Sequence, residues 1–355
     1  MNLFEYGLMR PHPYTYNIDR DVETLLVRAG VNWDIFRGKI IFVTGGTGFF
    51  GVWLLCALVK IKVLLEGELD IWVLSRSPSQ FLAKYSEYNF SDHIQFIQGD
   101  IQYGHWGVSG VTHLVHMAVT SASETFAGED QLNKLAVLYR GTQHVLEECG
   151  GTLESVLFTS SGVAYGVDTR EVLSEDHFSG LDTTELGSAL GLGKLVAEYL
   201  VRYYAHQQGY HFTIARCFAF AGQYLPLDLH YAFGNFVGQA LSKQPLVITG
   251  DGQDRRSYLY IGDAIAWLLK MLSCPSNQVC NVGSSHAISI RRLGEVIAQR
   301  VQPPLELVTL GCQKEVGNFP RRSYIPSSKK RQETYPNLEE WTSLEEIIDK
   351  MLAVK

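Results

Sequence analysis

The apolar run Ile40-Ile41-Phe42-Val43-Thr44 feeds directly into Gly45-Gly46-Thr47-Gly48-Phe49-Phe50-Gly51 and then into Val52-Trp53-Leu54-Leu55. Three glycines spaced three apart, with a strand pattern before them and a helix pattern after them, leave few folds open. Glycine at these points allows a tight turn and lets the backbone approach a pyrophosphate, which sits on the amides at the helix N-terminus. The segment therefore predicts a strand, a phosphate-binding loop and a helix, the opening unit of a parallel α/β sheet that holds a dinucleotide.

The rest of the chain extends that unit. Short, nearly continuous apolar runs recur at 40–44, 71–75, 94–98, 113–116, 156–160 and 212–216, the pattern of strands buried on both faces. Helical spacing fills 52–65, 129–148 and 191–207 between them. Alternation of this kind, with right-handed crossovers, gives a doubly wound parallel sheet. After Arg216 the chain loosens into Gly, Pro and aromatic residues, with helical patterns at 233–241, 263–272 and 290–301 and a strand at 246–249. We expect an N-terminal extension over 1–37, a dinucleotide-binding domain over 38–216 and a smaller α/β substrate-binding domain over 217–355. Residues 277–283 are expected to return to the main sheet. Within the extension, Pro11 and Pro13 precede a helical pattern from Asp19 to Ala29 whose role cannot be read.

Composition narrows the partners. Over 355 residues, 30 Lys and Arg against 37 Asp and Glu give a net charge of -7, which does not favour general attraction to nucleic acid or anionic lipid. Six scattered cysteines (56, 149, 217, 274, 280 and 312) form no C-x-x-C pair, so we expect reduced thiols and neither a disulfide scaffold nor a metal site. Residues Met1 to Tyr6 lack the features of a signal peptide, and no apolar run reaches the roughly 18 residues of a membrane span. A soluble cytoplasmic protein is expected.

At the end of the second strand an acid would take an adenosine ribose 2'-hydroxyl. The sequence there is Val73-Leu74-Ser75-Arg76-Ser77, and arginine suits a 2'-phosphate, which favours NADP over NAD. The competing reading of Arg76 is a solvated surface charge or a residue that merely stacks on adenine.

With these segments in view, the chain from about Arg37 onward resembles the extended short-chain dehydrogenase/reductase family, specifically its NAD-dependent epimerase/dehydratase group acting on nucleotide-linked sugars. Thr44 to Gly51 resembles the family's cofactor loop, Gln98-Gly99-Asp100-Ile101 its adenine contact, and His113 to Ala118 the strand beneath the cofactor. Phe158-Thr159-Ser160-Ser161-Gly162-Val163-Ala164-Tyr165-Gly166 is similar to the strand carrying the catalytic Ser or Thr, here Ser161. Ala215 to Gly222, Gly250-Asp251-Gly252, Arg256 to Asp263 and Asn281-Val282-Gly283 complete the likeness. The resemblance implies a Rossmann fold and a nucleotide diphosphate sugar as substrate. It implies cofactor binding by Gly45, Thr47, Gly48, Phe49, Phe50, Gly51, Arg76, Asp100, Ile101, Ala118 and Lys194. Substrate binding falls to Ser161, Asn235 and Arg256, and catalysis to Ser161, Lys194 and Tyr165. A homodimer is implied too, built on the helices at 129–148 and 191–207.

The family's chemistry rests on a Tyr-x-x-x-Lys pair in which the tyrosine exchanges a proton with the sugar hydroxyl. The matching stretch, Ser188-Ala189-Leu190-Gly191-Leu192-Gly193-Lys194, keeps the lysine and puts Leu190 at the tyrosine position. Leu138 stands where the family usually has Asn, and Gly162-Val163 where the 4,6-dehydratases carry Asp-Glu, so dehydration by that route is not expected. Two readings compete. One is an epimerase or reductase with altered acid/base chemistry, its candidate carriers being Ser161, Tyr165, His116, His177 and Glu185. The other is a degenerate member that binds NAD(P) and nucleotide sugar without redox chemistry. Against the carrier roles, Tyr165 reads as a wall of the pocket, His116 as a satisfied core histidine, and His177 and Glu185 as solvated loop residues.

Overall fold

The computed structural model describes residues 18–119, 130–167, 170–228, 231–311 and 322–353. Pro11, Pro13, Glu129 and Cys312 lie outside the described residues.

Six parallel strands arise from the apolar runs: β1 (Lys39–Thr44), β2 (Leu69–Ser75), β3 (Gln95–Gln98), β4 (His113–His116), β5 (Ser155–Ser161) and β6 (His211–Cys217). Gln278–Val282 joins as a seventh, paired in parallel with β6. The order across the sheet is Gln278–Val282, β6, β5, β4, β1, β2, β3. Val43 of β1 lies between Val73 of β2 and Val115 of β4, so β-branched side chains stack across the middle of the sheet.

Helices cover both faces, which makes the sheet doubly wound as expected. One face carries α2 (Phe49–Leu64) and Ile261–Ser273, while the other carries Thr142–Glu148 and Ala189–Gln208. Helix α2 is apolar almost all round, a composition suited to a helix enclosed on every side. Its outer side is covered by α1 (Asp19–Arg28), which buries Val22, Leu25 and Leu26. The extension helix thus has a role the sequence does not disclose. It shelters a central helix whose Trp53, Leu54, Leu55 and Leu58 are fully buried, each worth about 1.5–3 kcal/mol of apolar burial.

Several bounds move for physical reasons. Helix α2 starts at Phe49 rather than Val52, because the extended backbone of Gly48 caps it there. The long helix expected over 129–148 is three consecutive segments, Gln131–Ala136, a π-helical turn Val137–Gly141, and Thr142–Glu148. The strand expected at 94–98 starts one residue later, and a short helix, α3 (Pro78–Lys84), lies ahead of it.

Beyond β6 the chain forms smaller units. Leu246–Ile248 pairs in parallel with Leu307–Thr309, and Arg255–Ser257 is flanked by Ala287–Ser289 and Ser323–Tyr324. Helices Ala232–Leu241, Ile290–Arg300 and Leu344–Leu352 pack with them. The last begins with a capping box, Ser343 and Glu346 each bonding the other's backbone amide. Among the described residues, no helix is long and apolar enough to cross a membrane.

Candidate functional site

The direction of the chain reverses across the sheet between β1 and β4, and parallel sheets bind ligands in the crevice at the carboxyl ends beside such a point. The glycine loop lies there. Gly45 has φ 74°, and a Cβ on it would stand 2.6 Å from the backbone nitrogen of Ala118, so only glycine lets the loop rest on the exit of β4. A Cβ on Gly51 would stand 2.0 Å from the Gly46 carbonyl oxygen. Gly48 differs, since a Cβ there would meet only the Gly45 carbonyl oxygen, at an unstrained 3.9 Å, and no side chain caps the helix it begins. The first-turn amides of a 16-residue helix therefore point out beside a bare backbone, a cradle that fits a pyrophosphate. Thr47 is half-buried in the loop, and Phe49 and Phe50 fold inward, Phe50 meeting Phe220 edge-on at 4.8 Å.

The neighbouring strand ends supply the rest of this side. Arg76 is exposed just past β2, and the Ser75 carbonyl accepts the Gly99 amide at 3.0 Å. Asp100 Oδ1 accepts the Gln102 amide at 2.8 Å, which shapes the turn after β3. Ile101 packs on Gly141, where a Cβ would stand 2.6 Å from its Cδ1. Gly45, Arg76, Asp100, Ile101 and Ala118 thus share the carboxyl edge of β1 to β4.

Ser161 ends β5, its Oγ accepting the Val163 amide at 3.3 Å, and lies in register with Cys217 at the end of β6. Lys194, on the helix Ala189–Gln208, is buried and donates to the Thr159 carbonyl at 2.7 Å, its ammonium 4.9 Å from the Phe158 ring centre. Burial pushes Lys194 down to about 8, with Cys217 and Glu198 opposing the shift. Burial also pushes the Cys217 thiol up to about 12 against the pull of Lys194. Leu190, one turn before Lys194, is half-buried. Leu138 is fully buried in the π turn and packs on Gly193, where a Cβ would stand 2.5 Å from its Cδ1.

The other carriers considered from sequence are placed as follows. His116 is buried between two threonine hydroxyls, Thr44 at 2.6 Å and Thr142 at 2.9 Å, and burial then Lys194 push it down to about 3. It is a neutral core residue. Tyr165 is fully buried, its hydroxyl donating to Asn281 Oδ1 at 2.8 Å, with the Arg216 guanidinium 4.5 Å from its ring centre. It has no exposed surface and packs with Leu173 and Phe218. His177 Nδ1 accepts the Ser174 amide at 3.1 Å, and Glu185 is exposed.

Sequence reasoning missed the buried polar network behind Ser161. Arg216 donates to Glu198 through Nε at 2.9 Å and Nη2 at 2.8 Å, and Ser160 donates to the same carboxylate at 2.5 Å. Asn281 gives its side-chain amide to the Leu173 carbonyl at 2.9 Å and its backbone amide to Glu175 at 2.7 Å. These bonds tie β5, β6, the helix carrying Lys194 and the edge strand into one frame. The spacing of Lys194, Glu198 and later Arg216 was the available signal, since i and i+4 share a helix face.

Beyond the main sheet, Arg256 on Arg255–Ser257 is a quarter exposed (26%), donates to the Arg255 carbonyl at 2.8 Å and lies 3.4 Å from Asp254 Oδ2. Tyr324 pairs with Arg256 in register on the neighbouring strand. Asn235 is half-buried on Ala232–Leu241, next to Gly234, where a Cβ would stand 2.3 Å from the Pro226 carbonyl oxygen.

Comparison with known proteins bears on the fold and the family. The profile of the NAD dependent epimerase/dehydratase family matches residues 41–283. UDP-glucuronic acid decarboxylase 6 of Arabidopsis thaliana is 25% identical over 197 residues, 56% of this chain and 57% of that protein's length. The chain thus spans little more than half of that relative. An uncharacterized UDP-glucose epimerase of Bacillus subtilis, YtcB, is 25% identical over 300 residues, 82% of this chain and 90% of that one. Among solved structures, the UDP-glucose 4-epimerase of Thermotoga maritima with UDP-glucose superposes with a TM-score of 0.73 at 20% identity, covering 88% of this chain and 97% of that one. The UDP-glucuronic acid 4-epimerase of Bacillus cereus, in complex with UDP-glucuronic acid and NAD, gives 0.69 at 22% identity, covering 89% and 97%. With its glycine cradle at the reversal of a seven-stranded parallel sheet and a profile match over more than half its length, the chain belongs to the NAD dependent epimerase/dehydratase family.

Proposed function

We propose that this protein binds a nicotinamide dinucleotide on the glycine cradle and a nucleotide diphosphate sugar, of the UDP-sugar class, across the cleft, and epimerises or reduces the sugar. The carrying observation is Lys194, held as a buried ammonium at the carboxyl end of β5 with one carbonyl bond. A fold has little use for a desolvated charge with so few partners, whereas a cofactor ribose is a natural further acceptor. A bound nicotinamide would supply hydride exchange with the sugar carbon. The chain itself does the rest: Gly45, Thr47, Gly48, Phe49, Phe50 and Gly51 seat the pyrophosphate, and Asp100, Ile101 and Ala118 border the dinucleotide. Ser161 holds a sugar hydroxyl, Arg256 takes the substrate diphosphate, and Asn235 helps to hold the substrate. In this reading 38–216 is the dinucleotide domain and most of 217–355 binds substrate, in a cytoplasmic enzyme.

A second reading, binding of both ligands without redox turnover, is favoured by Leu190 and Leu138, which present alkyl groups where the family's relay is polar. The carrier that would replace tyrosine is the difference between the two. Incubation with UDP-sugars and their 4-keto derivatives, followed by reduced-cofactor absorbance and by exchange in deuterated water, separates them. Turnover in the wild-type protein supports the enzyme, and turnover that appears only in Leu190→Tyr supports the binding protein. Fluorescence titration with NADH and NADPH tests the cofactor: no quenching by either refutes the cradle. The NAD complexes of structural neighbours support NAD, and Arg76 supports NADP. A homodimer is supported by Leu132, Tyr139, Tyr199 and Tyr203, exposed on the adjoining segments Gln131–Ala136, Val137–Gly141 and Ala189–Gln208, and light scattering of Tyr199→Glu tests it.

A further inference from the structure

Asp100 and Ile101 sit in the turn that leaves β3, with Tyr103 exposed at its tip. Gly104, at φ 91°, and Gly107, at φ 65°, make its far end supple, so its position depends on what holds it from outside. The helix Thr142–Glu148, on the sheet face opposite α2, supplies that hold. His144 Nδ1 donates to the Ile101 carbonyl at 2.9 Å, a direction fixed by the partner, since a carbonyl only accepts. The same ring lies 4.7 Å from the Trp106 ring centre. One turn further, Glu148 Oε2 accepts from His105 Nδ1 at 2.7 Å and from the Trp106 amide at 3.4 Å. The Ile101 side chain meanwhile rests on Gly141, one turn before His144. Residues 141, 144 and 148 form one stripe, and together they grip the turn by its apolar side chain, its carbonyl and its far end.

We propose that His144, backed by Glu148, is a positioning residue for the base of the dinucleotide. It touches no ligand. By holding the Ile101 carbonyl toward the helix, it fixes the edge that Asp100 and Ile101 present to the base. The assignment rests on the reading of the cleft as a dinucleotide site with this turn at its adenine end. Hydrogen bonds weaken steeply as alignment is lost, so a turn free to swing reads one base much like another. An aliphatic side chain at 144 would also pack on Trp106, and what it would lack is the N–H that orients the Ile101 carbonyl. The packing alternative, in which His144 only fills space against Trp106, predicts a change in stability and none in base preference.

The test uses calorimetry with NADH, or NADPH if it binds tighter, and with the matching analogue in which hypoxanthine replaces adenine, so that an oxygen stands in for the amino group. Wild type, His144→Leu, His144→Asn and Glu148→Ala are compared, with thermal melting as the fold control. Wild type prefers the adenine dinucleotide. His144→Leu keeps bulk against Trp106 and loses the donor, so affinity for the adenine dinucleotide falls roughly 3- to 10-fold, the size of one hydrogen bond, while that for the analogue is unchanged. His144→Asn restores the preference, because its amide donates to the same carbonyl from the place of Nδ1. Glu148→Ala frees the far end of the turn and gives the same selective loss, and it carries the comparison if His144→Leu does not fold. Equal weakening of both ligands, no weakening, or no recovery in His144→Asn overturns the role of His144 and leaves the dinucleotide site standing. A wild-type protein that binds the two dinucleotides alike also overturns the proposal, since no base preference is then being held in place. One that binds neither refutes the dinucleotide site itself, and the proposal falls with it.

Discussion

Replacing Lys194 with methionine should stabilise the protein in the absence of cofactor. Methionine is unbranched and of similar length, so it fills the same channel without charge. The fall of the ammonium from its ordinary 10.5 to about 8 corresponds to about 3 kcal/mol of unfavourable charge burial at pH 7. Lys194 is only 4% exposed, so solvent screens little of this. Losing the bond to the Thr159 carbonyl offsets about 1 kcal/mol, which leaves a net gain on the order of 2 kcal/mol. The folded state holds this proton less tightly than the unfolded chain, so the cost is fully present below about pH 8 and is relieved as pH rises from about 8 toward 10.5. Urea denaturation of wild type and Lys194→Met at pH 7 and pH 9.5 reads the effect directly: the variant leads at pH 7 and the gap narrows at pH 9.5. Saturating NADH reverses the order, because the lysine then has its ligand. A variant less stable than wild type at pH 7, with a gap that does not change with pH, refutes the argument that the charge is kept for function.

Three other outcomes follow from the buried polar groups and the loop. His116→Ala leaves the Thr44 and Thr142 hydroxyls without their shared partner and costs about 2–4 kcal/mol in a thermal melt. The neutral His116 also makes wild-type stability fall as pH drops from 6.5 toward about 3, since the unfolded chain accepts a proton the folded one refuses; His116→Ala removes that part of the acid sensitivity. Glu198→Ala strands the buried Arg216 guanidinium and costs about 3–5 kcal/mol, whereas Glu198→Gln costs less, as denaturant midpoints will show. Gly51→Ala opens the loop by forcing a Cβ against the Gly46 carbonyl, so the folded variant shows no NADH fluorescence change.

Legibility followed the range of the forces. Strands β1, β4, β5 and β6 were readable because burial on both faces demands unbroken apolar runs, as in Ile41-Phe42-Val43. The cradle was readable because Gly45 and Gly51 answer steric demands from neighbours close in sequence and from one strand exit. The π turn at Val137–Gly141 has no such mark, since π and α turns share one residue pattern. Nor do the strands Arg255–Ser257, Ala287–Ser289 and Ser323–Tyr324, two or three residues each and too short for any period to show. Tyr324 reaches Gly162, and Asn281 reaches Tyr165, through pairing between distant segments, and single-chain patterns carry no trace of such pairs. The identity of Leu190 and Leu138 was plain in the sequence. The packing of Leu138 on Gly193, the residue before the buried lysine, was not.

The helix that opens the described chain carries Asp21, whose carboxylate accepts from Lys350 on the last helix at 2.8 Å and from the Tyr260 hydroxyl. The two ion-pair partners lie 329 residues apart. At a ribosomal rate of about 5–20 residues per second, Asp21 emerges on the order of 20 to 60 s before Lys350. For most of that interval α1 has α2 to lie on, while the helix Ile261–Ser273, which it also contacts, and the ion-pair partner are still to be made. That ion pair is thus set only once residue 350 has been made, and a nascent chain arrested before it carries a first helix without this latch.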